Sequence, residues 1–203
     1  MKIINSLEEQ IPSYVLGIAE DLSKQVMSAL QRDYEISRAG DYFSAQISIE
    51  HQLTCVLAVL ELDLEGKRIF DLGCGAARSY DNFEWEKGIS FIRDFEPWFC
   101  RALYELQQNP QSYGFQVGPH PIGIDVAPLH GERFENYQAN LAQADCLLMI
   151  PQASIDVANA YALFNSPTFE RLKGEDFEAN FFRQLERVLK PDGILVTDSS
   201  LYH

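Results

Sequence analysis

The sequence predicts an α/β fold in which helices cover a doubly wound, mostly parallel sheet of about five strands. Two patterns support this prediction. Apolar segments of strand length alternate along the chain with segments whose apolar residues recur at helical spacing. Two of the predicted strands also end in an acidic residue, and the first of these is followed by a turn with two glycines. Glycine turns and polar residues at strand ends are typical of the ligand sites of open α/β sheets.

The first 65 residues are predicted to form an N-terminal helical cap, and residues 66–203 a sheet domain, within one compact unit. From Pro12 to Arg32 the apolar residues recur at helical spacing, and Ser13 is a candidate N-terminal cap. A second helical pattern runs from Phe43 to Leu60. We expect these two helices to pack against the sheet or to cover its ligand site.

The elements after residue 66 follow an alternation of strands and helices. The predicted strands lie at 68–72, 121–125, 155–161 and 194–197, with one more short strand that ends near Ala144, and the predicted helices lie at 96–107 and 177–189. The last helix is expected to stop at Lys190-Pro191-Asp192-Gly193, because proline cannot continue a helix and glycine favours its end.

Composition and charge limit the classes of partner. The chain has 203 residues, of which 46% are hydrophobic, and this length suits a single hydrophobic core. The net charge is −14 and no cluster of Lys or Arg is present, so no nucleic-acid partner is expected. No segment approaches the roughly 20 apolar residues that a membrane helix requires, so no membrane partner is expected either.

The four cysteines predict neither disulfides nor a metal site. Cys55, Cys74, Cys100 and Cys146 lie far apart, lack C-x-x-C spacing and have no histidines at metal-ligand intervals. Reduced thiols are typical of the cytosol. The amino terminus also lacks the long apolar stretch of a signal peptide. We therefore expect a cytoplasmic protein without a bound metal.

Residues 69–79, which read IFDLGCGAARS, are the most informative segment. Asp71 stands at the carboxyl end of a predicted strand, and Gly73 and Gly75 permit a tight turn on which a ligand contacts backbone. The Asp71 carboxylate would repel a pyrophosphate and attract an amine or a sulfonium cation. The dinucleotide pattern G-x-G-x-x-G is also broken, because Arg78 stands at the third glycine position. The turn therefore predicts a ligand with a cationic group.

A second acid ends the next predicted strand, in the segment PIGIDVAP at residues 121–128. In a doubly wound fold a carboxylate at this place, here Asp125, accepts both hydroxyls of a ribose. This step alone does not separate NAD from other cofactors that contain adenosine. Asp125 lies well beyond the roughly 20-residue spacing of a compact dinucleotide fingerprint, which requires an insertion after Gly75.

The insertion begins with residues 76–95 and is rich in aromatic side chains among charged ones. These rings either form a lid or a substrate wall, where a ring face would favour a sulfonium cation, or anchor a long loop on the core. The aromatic residues are Tyr80, Phe83, Trp85, Phe91 and Phe95.

The order of five motifs resembles the class I S-adenosylmethionine-dependent methyltransferases over about residues 66–200. The motifs are acid-x-Gly-x-Gly at 71–75, G-x-D at 123–125, A-D at 144–145, S-x-D-V at 154–157 and L-K-P-D-G at 189–193. The resemblance implies a Rossmann-like fold, S-adenosylmethionine as cofactor and transfer of its methyl group to an acceptor, which we expect to be a small molecule.

The resemblance also implies a set of cofactor-binding residues at the carboxyl ends of the strands. They are Asp71, Gly73, Cys74, Gly75, Asp125, Val126, Asp145, Cys146 and Asn159. No catalytic residue is predicted, because methyl transfer needs no general base when the acceptor is already nucleophilic, and the four histidines are scattered along the sequence.

Two details of the resemblance concern the adenine and the acceptor. The adenine amine is expected to meet either Asp145 with Cys146 or Asn140 with Leu141, and we prefer the first pair because it contains an acid. The acceptor is expected to approach the residues at and after the end of the fourth strand, whereas Asp156, at the start of this strand, is expected to bond to backbone. The residues on the acceptor side are Asn159, Tyr161, Phe164 and Asn165.

The alternative function is a non-catalytic binding or assembly module with a degenerate methyltransferase fold. Members of the family usually continue with two strands that form a C-terminal hairpin, and this hairpin is missing from the predicted elements. A five-stranded sheet would leave an edge to be covered by the N-terminal helices or by a second copy of the chain, so a homodimer is possible. A nicotinamide-dependent oxidoreductase is disfavoured by Asp71 and Arg78.

Overall fold

The computed structural model describes residues 2–5, 11–76, 96–143, 145–161, 163–164 and 177–197. The chain has an α/β Rossmann-like fold, in which helices cover a single six-stranded sheet. The helices are α1 (Ser13–Asp33), α2 (Ala39–Val59), α3 (Trp98–Gln108) and α4 (Phe177–Val188), and a short 3-10 helix spans Pro110–Tyr113. The strands are β1 (Lys2–Asn5), β2 (Arg68–Leu72), β3 (His120–Asp125), β4 (Glu135–Gln138), β5 (Ile155–Ala160) and β6 (Leu189–Thr197).

The strand order is β1-β6-β5-β2-β3-β4, and each of the five strand pairs is parallel. From β2 the chain builds outward through β3 to β4, and then it returns to the other side of β2 with β5 and β6. The order therefore reverses between β2 and β5, where Asp71 lies opposite Asn159. In open α/β sheets, ligands bind outside the carboxyl ends of the strands at such a reversal.

The two faces of the sheet are covered by different helices, because successive side chains of a strand point to opposite faces. Ile69 of β2 belongs to the hydrophobic cluster of α1, α2 and α3. Phe70, the next residue, belongs to the cluster that contains α4 and the turns after β4. The buried strands read as nearly continuous apolar runs because both faces are covered.

The N-terminal region contains a strand as well as the two predicted helices. Residues Lys2–Asn5 form β1, which pairs with β6 along the edge that the N-terminal helices or a second copy of the chain were expected to cover. The sheet thus has one strand more than the sequence predicted. A run of only four residues has too short a pattern to be recognised as a strand. Both helices were predicted correctly, although α2 begins at Ala39, four residues earlier than expected.

The third strand of the Rossmann-like unit was placed wrongly. It was predicted to end near Ala144, but β4 ends at Gln138. This strand reads Glu-Asn-Tyr-Gln and none of its side chains is fully buried. A polar edge strand lacks the apolar run from which strands are recognised. The strand was therefore assigned to the more apolar residues that follow β4.

The Lys-Pro-Asp-Gly segment, which was predicted to end the last helix, lies in a bulge inside β6. Helix α4 ends at Val188, and β6 begins directly at Leu189. Leu189 pairs with Ile155, whereas the next pair is Ile194 with Val157. The Lys-Pro-Asp-Gly segment between these pairs is thus accommodated as an irregularity of the strand, as is usual for proline in a sheet.

Within the residues that the model describes, no helix combines the length and the apolar character that crossing a membrane requires.

Candidate functional site

The glycine turn after β2 depends on both of its glycines. Gly73 has φ +75° and Gly75 has φ +106°, in the region that side chains disfavour. A Cβ atom on Gly73 would also lie 2.9 Å from Cδ1 of Leu163. The N–H groups of Gly73 and Cys74 donate to the carbonyl of Ile124 at 2.8 and 3.1 Å. The turn is therefore fixed to the end of β3, and these two N–H groups are already paired.

Asp125 joins the glycine turn to the loop after β3. Its Oδ2 accepts the N–H of Gly75 at 2.9 Å, and its Oδ1 accepts the N–H of Ala127 at 2.8 Å. Burial raises the pKa of Asp125, and the hydrogen bonds from the N–H groups of Ala127, Gly75 and Val126 oppose this effect. The side chain is half-buried. A carboxylate has about four acceptor positions, so Asp125 retains capacity for ligand hydroxyls.

Asp71 lies beneath the site, with its carboxylate directed at buried partners. Only 3% of the residue is exposed. Its Oδ1 accepts from Nδ2 of Asn159 at 2.9 Å, and its Oδ2 accepts from the thiol of Cys100 at 3.5 Å. Burial raises the pKa of Asp71 to about 7, although the bonds from Asn159 and Cys100 lower it; the nearby Asp125 raises it further. Asp71 therefore acts on a ligand from behind the turn, and through its charge only when it is ionised.

Asn159 connects this acid to helix α2. It is fully buried, and its Nδ2 donates to Oε1 of Gln52 at 2.7 Å as well as to Asp71. Gln52 in turn donates to Oγ of Ser48 at 3.1 Å. Oδ1 of Asn159 has no hydrogen-bond partner in the described part of the chain. A buried acceptor without a donor is unfavourable, so this atom is a position where a ligand N–H would be accepted.

The two thiols at the turn serve packing. Cys74 and Cys100 belong to a small buried cluster with Leu129 and Phe134. Gly123 faces this cluster: a Cβ atom there would lie 2.6 Å from Cε2 of Phe134 and 2.9 Å from Sγ of Cys74. Burial raises the pKa of the Cys74 thiol to about 11. The thiol is therefore neutral at pH 7 and poorly suited to act as a nucleophile.

A buried arginine that the sequence did not reveal lies beside this cluster. Arg101 of α3 pairs with Glu96 (Nη1–Oε2, 2.5 Å) and with Glu132 (Nη2–Oε1, 2.6 Å), and its guanidinium lies over the rings of Tyr34 and Trp98. Glu96 stands where the chain enters α3, and Glu132 stands in the connection from β3 to β4. Arg101 thus joins the entry to α3 with the connection from β3 to β4, and the carboxylates of Glu96 and Glu132 compensate its charge.

The structure brings only one of the two candidate adenine pairs next to the sheet. Asn140 lies two residues beyond β4, whose last residue pairs with Asp125. Asp145 lies further along, exposed in a turn, and Cys146 is buried with its N–H donating to the carbonyl of Gln143 at 3.3 Å. Asn140 and Leu141 thus follow the end of β4 more closely than Asp145 and Cys146 do. The preference for Asp145 and Cys146, which was based on the acid, stays a prediction.

A histidine that had no sequence signal lies on the side from which the sequence predicted an acceptor to approach. Nδ1 of His51, on α2, lies 3.4 Å from Oη of Tyr161, the residue after β5. Phe164 packs edge-on against Phe181 of α4, with ring centroids 5.8 Å apart. Asn165 lies outside the described residues, as do Ala144 and the predicted aromatic insertion beyond Ala76.

Asp156 has the backbone role that the sequence predicted. Its Oδ2 accepts the N–H of Arg68 at 2.9 Å, and its Oδ1 pairs with Nζ of Lys190 at 2.7 Å. Both contacts lie at the amino ends of the strands, away from the glycine turn. Asp156 is therefore not part of the candidate site.

Comparison with known proteins does not assign the chain to a family. No family model matches the chain, and no curated protein matches it. A functional assignment must therefore start from the site itself: a glycine turn, two acids and a buried asparagine at the point where the strand order reverses.

Proposed function

We propose that this chain is an S-adenosylmethionine-dependent methyltransferase that acts on a small-molecule acceptor. The observation that carries the proposal is the position of the site residues. The glycine turn and Asp71 follow β2, Asn159 lies on the adjacent β5, and Asp125 ends β3 on the other side. The strand order reverses between β2 and β5, and in open α/β sheets the ligand binds at this reversal.

Two features of the site fit the cofactor. The unpartnered Oδ1 of Asn159 is an acceptor for an ammonium group, and Asp125 retains acceptor positions for ribose hydroxyls. The adenine would meet either Asp145 with Cys146 or Asn140 with Leu141, and the second pair directly follows the end of β4. S-Adenosylmethionine, when bound, supplies a methyl group on a positively charged sulfur. The residues of the chain hold the cofactor and orient it towards the acceptor, and positioning is the main requirement of such a displacement.

The charge of the site favours this cofactor over a dinucleotide. Asp71 and Asp125 both lie at the glycine turn, and in the described residues no Lys or Arg pairs with either of them. A pyrophosphate on this turn would meet like charges and two N–H groups that already donate to Ile124. A sulfonium or an ammonium would instead be attracted.

The alternative is a binding or assembly module that has lost catalysis. One observation favours it: the N–H groups of Gly73, Cys74 and Gly75 are all satisfied within the protein. The other argument for it was a truncated sheet: β1 adds a sixth strand beside β6 and is itself the edge strand on that side. A homodimer through this edge remains part of the alternative.

The proposed setting is the cytoplasm, with reduced cysteines. All four thiols are buried and none forms a disulfide. Unpaired thiols are typical of reducing compartments. This part of the proposal concerns location alone and is independent of the acceptor.

Thermal unfolding with S-adenosylmethionine, S-adenosylhomocysteine and NAD tests the proposal. A ligand at about 100 times its dissociation constant stabilises the folded state by roughly 2.7 kcal/mol, which raises the melting temperature visibly. We expect both adenosyl-sulfur compounds, but not NAD, to stabilise the protein. Stabilisation by NAD alone would contradict the proposal, as would no response to any of the three. Binding without methyl transfer to any of a panel of small amines, alcohols and thiols would support the non-catalytic module.

A further inference from the structure

Asp71 is a buried acid that has no cationic partner among the described residues. It is 3% exposed, and its hydrogen bonds come from an amide and a thiol. Removing a carboxylate from water is costly unless a positive charge or a proton compensates it. The protein retains this acid directly beneath the glycine turn, where an apolar residue would pack without that cost.

Among the described residues, the groups that surround Asp71 on each element packed against it are neutral or acidic. Helix α2 contributes Gln52 through Asn159 of β5, helix α3 contributes Cys100, and the turn contributes Cys74. The end of β3 contributes Asp125, which is a second negative charge. The buried cation nearest in sequence to Cys100 is Arg101, and it is neutralised by Glu96 and Glu132. The positive charge that would compensate Asp71 is thus absent from the described protein.

We infer that Asp71 holds a proton in the free protein and gives up this proton to solvent when a ligand with a positive charge binds at the glycine turn. The inference rests on the proposed function and extends it. In the free protein the carboxyl group is compensated by a proton. In the complex the positive charge of the ligand replaces the proton: the carboxyl group releases its proton to the buffer, and the resulting carboxylate forms an ion pair with the cationic ligand.

Two observations support this exchange. Burial raises the pKa of Asp71 to about 7, so the free protein retains the proton at mildly acidic pH. The adjacent Oδ1 of Asn159, fully buried and without a partner, is an acceptor at which an N–H-bearing cation would be held close to the acid. Together, Asp71 and Asn159 form a site for a charged donor, across the boundary between β2 and β5.

Isothermal titration calorimetry between pH 5.5 and 8 measures the exchange directly. S-Adenosylhomocysteine, which carries an ammonium group, is compared with 5′-methylthioadenosine, which has the same nucleoside and sulfur but no ammonium. At each pH the titration is repeated in buffers with different ionisation enthalpies, which gives the number of protons released. We expect release approaching one proton at pH 6 and almost none at pH 8. The affinity for S-adenosylhomocysteine should fall about tenfold for each pH unit below 7.

The Asp71→Asn variant identifies the source of the proton. This substitution removes the titrating group and keeps the size of the side chain, so the release and the pH dependence of affinity should both disappear. Asp63→Asn is the matched control, because Asp63 is an exposed acid whose ion pair with Lys67 lies before β2. It should behave as the wild type does.

The outcomes separate the inference from the proposed function. If S-adenosylhomocysteine fails to bind the wild type, the proposed function is overturned and the inference falls with it. If it binds without releasing a proton, the inference alone is overturned. Equal proton release with 5′-methylthioadenosine also overturns it, because the ammonium would then be irrelevant. These wild-type results decide the matter even if Asp71→Asn does not fold.

Discussion

At the scale of single residues, the site is determined by backbone conformation and by where buried polar atoms find partners. The glycines at 73 and 75 were recognised from the sequence because a positive φ has a strong compositional signal. The hydrogen-bond partners of Asp71 were not recognised from the sequence, because Asn159 and Cys100 lie far from Asp71 along the chain. The residue types indicate where a site lies, whereas the folded structure shows which polar atoms lack a partner within the protein.

Gly73→Ala should destabilise the protein by about 1–3 kcal/mol, because a side chain there adopts an unfavourable φ and meets Leu163. Unfolding in urea measures the loss. Gly40→Ala is the matched control, since Gly40 lies in helix α2 with no atom within 4 Å of its added Cβ. It should leave stability unchanged or raise it by up to about 1 kcal/mol. A Gly73→Ala protein as stable as the wild type would contradict the described turn.

Asp125→Ala should weaken the binding of S-adenosylhomocysteine at least about tenfold, since it removes the proposed ribose acceptor and frees two backbone N–H groups. Calorimetry gives the affinity, and the exposed Asp63→Ala serves as the control. Unchanged affinity in Asp125→Ala would remove Asp125 from the site.

The stability of the ligand-free protein should depend on the proton of Asp71. Its folded pKa of about 7 lies above the ordinary value of 3.8, so the folded state holds the proton more tightly than the unfolded state does. This contribution is complete below about pH 4 and is lost as the pH rises through about 7. The free energy of unfolding of the wild type should thus fall relative to Asp71→Asn between pH 5 and pH 7, as measured by urea unfolding. Parallel pH profiles of the two proteins would show that Asp71 is already ionised.

At the scale of elements, the sequence predicted those whose pattern is long or apolar. Helix α1 and strands β2 and β3 were found within one residue of their bounds, because burial on one or both faces imposes a regular apolar pattern. Strands β1 and β4 were missed or misplaced. They lie at the two edges of the sheet, where few side chains are buried and the pattern is correspondingly weak.

The ion pairs of Arg101 with Glu96 and Glu132, which join α3 to the connection from β3 to β4, should strongly stabilise the fold. Arg101→Met should lower the free energy of unfolding by about 3–5 kcal/mol, because it leaves the buried carboxylates of Glu96 and Glu132 without a cation. Arg133→Met is the control: its ion pair with Asp33 is exposed, and its loss should cost no more than about 1 kcal/mol. Similar losses in the two variants would contradict a special role of Arg101.

At the scale of the whole molecule, the order of the motifs predicts the α/β class and a candidate site at the carboxyl ends of β2, β3 and β5. The order of the motifs does not predict which atoms of the candidate site contact one another. The choice between Asn140 and Asp145 depends on where an edge strand stops, and the bond from Asn159 to Gln52 joins residues on different layers of the fold. Sequence periodicity reports the burial of each element separately, whereas these contacts depend on how the layers are stacked.

The pairing of β1 with β6 also has a consequence for how the sheet is assembled. Lys2 pairs with Ile194, so β1, which is synthesised before the other described strands, has its partner at the far end of the described chain. Contacts between residues so far apart in sequence form slowly, because the entropy cost of closing a long loop precedes the favourable free energy of strand pairing. We expect β1 to dock last, after the rest of the sheet has formed, with its apolar Ile3 and Ile4 unprotected until then. During synthesis this short segment is therefore a point at which a chaperone or a second nascent chain would compete with correct folding.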